Sequence, residues 1–119
     1  MIEIRRLEGL RPSIRERFYE RVYTAREREI CAGRAERYAA RFAAKEAVAK
    51  ALGTGIGPVS WRDIEIDTDA AGAPVLRLYR AAAAKSAELG LTDWSISLTH
   101  AKEHCAAVAV AVGTGTPAL

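Results

Sequence analysis

The sequence predicts an α+β domain, and three observations carry that reading. Helix-forming runs dominate the first half, the longest spanning Ala35 to Leu52, and Gly33 and Gly53 stand where two of these runs stop. Beyond Gly53 the apolar period changes to two, with Ile64 and Ile66 alternating with Asp63, Glu65 and Asp67. Two strand pairs then follow, each closed by a short polar connection, so the helices and the antiparallel pairs are segregated along the chain. That order disfavours a doubly wound parallel sheet.

Taken in sequence, Met1 to Ile4 is too brief for a free-standing strand and reads as the end of one. Leu7, Leu10, Ile14, Phe18 and Val22 recur at helical spacing and are expected on one face, with arginines around the rest. Pro12 divides this stretch, so a helix is expected to start near Ser13. Thr24 with Glu27 forms a capping-box pattern that opens a short helix from Ala25 to about Ala32. In the long run from Ala35, Tyr38, Phe42, Ala49 and Leu52 are expected on a buried stripe, with Arg41, Lys45 and Glu46 as a charged cluster beside it. Gly53-Thr-Gly-Ile-Gly57 cannot continue the helix and forms a loop. A hairpin from Ile64 to Leu78 turns at Asp69 to Pro74, a helix covers Ala81 to Leu89, and strands cover Trp94 to Thr99 and Cys105 to Val112. The whole reads as one domain, 1–113, with 114–119 as a flexible tail.

At 119 residues, half of them hydrophobic and 28% charged, the chain has enough apolar material for one core and is not a disordered segment. Alanine is abundant and aromatics are few, which implies a lean core that neighbouring subunits could complete. The net charge is only +3, yet Arg5, Arg6, Arg11, Arg15, Arg17, Arg21, Arg26 and Arg28 crowd the N-terminal third. Such a patch suits phosphates or an acidic protein, and a solvated helix face is the bland alternative. Nucleic-acid binding lacks a recognised motif or a stacking pattern. Two cysteines far apart make neither a zinc pattern nor a disulfide framework, and a cytoplasmic protein with reduced thiols is expected. The longest apolar stretch, Cys105 to Val112, is too short to cross a bilayer.

The segment richest in chemistry is Arg41-Phe-Ala-Ala-Lys-Glu-Ala47, running through Lys50 into Gly53-Thr-Gly-Ile-Gly57. Together with Trp61-Arg-Asp-Ile-Glu-Ile66, Gly72-Ala-Pro74 and Ser97-Leu-Thr-His100, it resembles the holo-acyl-carrier-protein synthases, and the match covers nearly the whole chain in order. The resemblance implies the 4′-phosphopantetheinyl transferase fold, an antiparallel sheet packed on a long helix, with homotrimers that share active sites between subunits. It also implies transfer of 4′-phosphopantetheine from coenzyme A to a serine of acyl carrier protein, in support of fatty acid biosynthesis, with release of 3′,5′-ADP.

Such a transfer needs a cation on the diphosphate, positive charge beside it and a positioned hydroxyl. By resemblance Glu46 holds Mg²⁺, a hard ion suited to carboxylate oxygen, although alone it could equally be an i,i+4 partner of Lys50. Glu46 and Lys50 are the expected catalytic residues, and Lys45 and Lys50 are expected to neutralise phosphate. Gly53, Thr54 and Gly55 are expected at the coenzyme as a bare backbone loop; it follows a helix and lacks the Gly-Lys-Ser/Thr ending of an ATPase phosphate loop. The resemblance further implies that Thr99 and His100 line the coenzyme site, with Pro74 expected to shape its groove. By the same resemblance Arg6, Arg17, Phe18 and Arg21 are expected to hold the acidic carrier protein.

The resemblance breaks at the start, where Ile2-Glu-Ile-Arg-Arg6 matches the end of the family's first strand. The strand's Asp, a second Mg²⁺ carboxylate in that family, would precede Met1, so an upstream extension of the reading frame is expected and metal binding without it should be weak. The rival readings are a noncatalytic coenzyme A or carrier-protein binding protein, or a truncated inactive form.

Overall fold

The computed structural model describes residues 2–3, 9–100 and 104–113, with side-chain surroundings for 9–98 and 107–113. Its elements run β1 (Ile2–Glu3), α1 (Pro12–Val22), α2 (Ala25–Cys31), α3 (Ala35–Ala51), a 3-10 turn (Trp61–Asp63), β2 (Ile64–Thr68), β3 (Pro74–Leu78), α4 (Arg80–Glu88), β4 (Leu91–His100) and β5 (His104–Gly113). The expected α+β order holds. Strands β1, β5 and β4 form one antiparallel sheet in that spatial order, and β2 and β3 form a separate hairpin. Strand β4 starts at Leu91, earlier than the expected Trp94, with a bulge between Leu91 and Asp93 that re-registers it on β5. The expected tail, 114–119, lies outside the described residues.

Helix α3 spans two buried clusters. One gathers Tyr19, Val22, Tyr23, Cys31 and Tyr38; the other gathers Ala44, Val48, Leu52, Val59, Ile64, Ile66 and Ala82. Ala39, Ala40, Ala43 and Ala44 are all buried, and their small side chains let neighbouring elements approach the helix closely. In the first cluster Tyr19 stacks on Tyr38 at 3.6 Å, and the Tyr23 hydroxyl donates to Tyr38 O at 2.6 Å. Burial also pushes the Cys31 thiol up to about 12, which keeps it unreactive.

The stripe expected on α1 is only partly inward. Pro12 restarts the helix after Leu10, so the phase shifts: Tyr19 and Val22 are buried and Phe18 half-buried, whereas Ile14 is 48% exposed. Leu7 lies outside the described residues. The capping box on α2 forms as expected, with Glu27 N donating to Thr24 Oγ1 at 3.2 Å and Thr24 N to Glu27 Oε1 at 2.9 Å.

Strand β2 buries both its faces, because the carboxylates opposite Ile64 and Ile66 are all partnered. Arg80 Nε donates to Asp63 Oδ1 at 2.7 Å, and Thr24 Oγ1 and Tyr79 OH donate to Glu65 at 2.6 and 3.1 Å. Arg26 and Arg77 donate to the two oxygens of Asp67 at 3.0 and 3.2 Å. These bonds tie α2 and α4 to the hairpin. The Thr68 amide, followed by the two guanidiniums, holds the Asp67 carboxyl below its ordinary 3.8. A depressed carboxyl stabilises the fold above the unfolded-state value and loses that contribution as pH falls through the folded-state value. Chemical denaturation from pH 6 to pH 2 should therefore show a shallower acid loss for Asp67→Asn than for the parent; parallel curves would remove Asp67 from the acid limb.

Candidate functional site

Helix α3 presents two adjacent stripes of charge, and they face different surroundings. Arg37, Arg41 and Lys45 recur every four residues and turn inward. Arg37 Nη1 donates to Ile30 O at 3.0 Å, while Arg41 donates through Nε to Ile66 O at 2.9 Å and through Nη2 to Thr68 Oγ1 at 2.8 Å. Lys45 goes deepest. Its ammonium donates to Trp61 O at 2.9 Å and to Ile64 O, and it contacts Glu27 Oε1 at 2.7 Å, with both side chains fully excluded from solvent.

The expectation that Lys45 neutralises phosphate is therefore corrected. An ammonium has three donors, and all three are engaged inside the core. Burial drives the Lys45 ammonium down and the Glu27 carboxyl up, and each opposes the other's shift by its charge. Glu27 is saturated as well, since Thr24 N and Ile66 N each donate to it at 2.9 Å. The pair thus clamps α3 to α2, to the 3-10 turn and to β2.

Phe42, Glu46 and Lys50 make the second stripe. Glu46 is half-buried, and among the described residues its carboxylate has neither a hydrogen bond nor an ion pair. Lys50, one turn on, is exposed and equally without a side-chain partner among the described residues. The bland alternative, a mutual Glu46–Lys50 bridge, does not form. Among the described residues no cluster of three His, Cys, Asp or Glu that could hold a metal ion is present. A single carboxylate such as Glu46 is the minimum that Mg²⁺ takes from a protein, the rest of its shell coming from phosphate oxygens and water.

The loop after α3 turns on glycines with φ of 77° at Gly53 and 63° at Gly55, a region open to glycine without strain. The amides of Gly53, Thr54 and Gly55 are turned back onto the helix end. Gly53 N donates to Lys50 O at 2.9 Å, Thr54 N and Gly55 N donate to Ala49 O at 3.3 and 3.1 Å, and Thr54 Oγ1 donates to Gly55 O at 2.9 Å. A Cβ at Gly53 or Gly55 would meet nothing within 4 Å. The loop thus offers a bare surface rather than an amide cradle, at the negative end of a helix whose last turn carries the exposed Lys50.

Pro74 lines a cavity of about 500 Å³ with Arg37, Arg41, Thr68, Gly72 and Leu98. Arg37 and Arg41 were not expected there; their spacing of four on a run with Lys45 was the available signal. Thr99 and His100 follow Leu98 along β4 and pair with Ala106 and Cys105 in backbone register, but their side chains lie outside the described residues. Glu46, Lys50 and the glycines are not part of this cavity's lining. A second depression, of about 410 Å³ between Thr24, Ser60, Tyr79 and Arg80, contains none of the expected site residues.

On α1, Arg17 and Arg21 are exposed one turn apart, with no partner among the described residues. Phe18 between them is half-buried, its ring 5.9 Å from Phe42, which stacks on Trp61 at 4.7 Å. It is therefore packed against the core while remaining partly accessible. Arg6 lies outside the described residues.

Comparison with known proteins identifies the family and the fold. A family model described as the 4′-phosphopantetheinyl transferase superfamily matches residues 2–109. A holo-[acyl-carrier-protein] synthase of Herpetosiphon aurantiacus is 43% identical over 122 residues, covering 97% of this chain and 94% of that protein. One of Moorella thermoacetica is 44% identical over 115 residues, covering 92% and 88%. Among solved structures, the Helicobacter pylori holo-[acyl-carrier-protein] synthase in complex with coenzyme A superposes with a TM-score of 0.83 at 30% identity, covering 93% of this chain and 95% of that one. The Neisseria meningitidis holo-[acyl-carrier-protein] synthase gives 0.82 at 36% identity, covering 93% and 92%. With a family match across nearly its full length and the same fold, this chain belongs to the 4′-phosphopantetheinyl transferase superfamily, as one of its holo-[acyl-carrier-protein] synthases.

Proposed function

We propose that this chain transfers 4′-phosphopantetheine from coenzyme A to a serine of apo-acyl carrier protein, with Mg²⁺, and releases 3′,5′-ADP. The observation that carries the reading is Glu46: half-buried, unpartnered among the described residues, and one turn before an exposed Lys50. Glu46 would hold Mg²⁺ there, and the ion would supply positive charge to the coenzyme's diphosphate. Lys50 adds a second positive charge to the phosphates, and the glycine surface beside it admits the nucleotide closely. Arg37 and Arg41, with Glu36, put charge on the wall of the Pro74 cavity, and we assign that cavity to the coenzyme, with Thr99 and His100 beside it. The nucleophile is the carrier protein's serine.

Arg17, Arg21 and the accessible part of Phe18, together with Arg6, are assigned to the carrier protein, whose acidic helix they would steer and orient. Val108, Val110 and Val112 on the outer side of β5 are 59%, 52% and 60% exposed, a row of apolar side chains that supports the homotrimer reading. No described helix is long and apolar enough to cross a membrane, and with Cys31 a free buried thiol we place the enzyme in the cytoplasm, serving fatty acid biosynthesis.

The test is a mass measurement on apo-carrier protein incubated with coenzyme A, Mg²⁺ and this protein. Addition of the phosphopantetheine mass is expected; coenzyme A binding without any mass gain would leave a noncatalytic binding protein. Reversing the charge at Arg17 and Arg21 to Glu should raise KM for carrier protein by about tenfold or more, with coenzyme A affinity unchanged, since like charges then meet at the docking surface. An unaltered KM would move the docking site off α1.

A further inference from the structure

We propose that Glu27 and Lys45, which touch no substrate, are positioning residues that hold Glu46 at the angle from which it binds metal. The proposal rests on the reading of Glu46 as the Mg²⁺ ligand. Lys45 immediately precedes Glu46, so anything that fixes the backbone and helical phase at Lys45 fixes the direction in which the Glu46 side chain leaves α3. Three separate elements hold that ammonium: α2 through Glu27, the 3-10 turn through Trp61 O, and β2 through Ile64 O. Glu27 is itself held from two sides, by the Thr24 amide at the start of α2 and the Ile66 amide of β2. Neither residue can turn without breaking several buried bonds at once.

Glu46 has no such restraint of its own, because its carboxylate has no partner among the described residues. A ligand that is not pinned by its own hydrogen bonds must be aimed by its support, and here the support is one residue away. A core filler alone would not need this arrangement. A buried ion pair contributes little net stability compared with an apolar pair of equal volume, whereas its directional bonds fix geometry that apolar packing leaves loose.

Replacing both residues separates these roles. In Glu27→Gln/Lys45→Met the Gln amide can still accept from Thr24 N or Ile66 N and donate to the freed carbonyls, but the methionine thioether, lacking a donor, ties α3 to nothing. Coenzyme A affinity is measured by calorimetry with and without saturating Mg²⁺, alongside thermal melting. The parent is expected to bind coenzyme A about tenfold tighter with Mg²⁺, because a cation shared between Glu46 and the diphosphate couples the two affinities. The double variant should melt within a few degrees of the parent and bind metal-free coenzyme A normally, while its Mg²⁺ enhancement falls to about twofold or less.

A folded double variant that keeps the full enhancement overturns the positioning role and leaves the Glu46 assignment intact. A parent protein without enhancement overturns the Glu46 assignment and the positioning role with it. Should the double variant not fold, Glu27→Asp keeps the charge but withdraws the carboxylate by one methylene. It too should lose the enhancement, and full retention there overturns the proposal.

Discussion

Glu46→Ala is expected to lower kcat/KM for phosphopantetheine transfer by about 10³-fold or more while the melting temperature stays near that of the parent. The first half follows from charge. Breaking the coenzyme's phosphoanhydride places negative charge on the leaving 5′-phosphate, and on the proposed reading Glu46 would hold the cation that counters it. The second half follows from burial. Glu46 is half-buried and makes no hydrogen bond or ion pair among the described residues, and alanine is the best helix former, so the fold loses almost nothing. Glu46→Gln keeps the shape and should behave like the alanine variant, which assigns the loss to charge rather than to a missing contact. Lys50→Ala should cost less, since an exposed ammonium is screened by water. Near-normal turnover by Glu46→Ala, measured by carrier-protein mass shift, would take this residue out of the mechanism.

The elements were legible because their boundaries are chemical. Pro12 and Gly53 bracket helices for local steric reasons, and the change from a period near four to a period of two at Ile64 needs no tertiary information. The shared face of Glu46 and Lys50 was likewise readable from their spacing of four. What failed was the sense of inside and outside for Lys45. Charge suggested the surface, yet Tyr38, Arg41, Lys45, Val48 and Leu52 follow one helical stripe, and every one of them is buried. That periodicity was the missed signal. The reason lies in a distant residue: Glu27 reads as a local capping residue and does serve the Thr24 amide, but its carboxylate also supplies the counter-charge that lets Lys45 enter the core. The cavity at Pro74 was only half legible for the same reason, because Arg41 reaches it through Ile66 O and Thr68 of a strand that follows much later.

Lys45→Met alone should destabilise the protein by about 3–5 kcal/mol, a large fraction of the ~5–15 kcal/mol that holds a domain together. Methionine matches the volume of lysine, so the cost is not a cavity. It comes from leaving Glu27 fully buried with its counter-charge removed and the carbonyls of Trp61 and Ile64 without their donor. The carboxylate's remaining bonds to two amides cannot offset the desolvation that already pushes its proton affinity up. Denaturant unfolding at one fixed protein concentration, to hold any subunit association constant, measures the difference. Pairing the change with Glu27→Gln should recover most of it, because two neutral groups then share the site. A single variant as stable as its parent would mean that Lys45 does not carry the buried charge seen here, and α3 would owe its place to its alanine face alone.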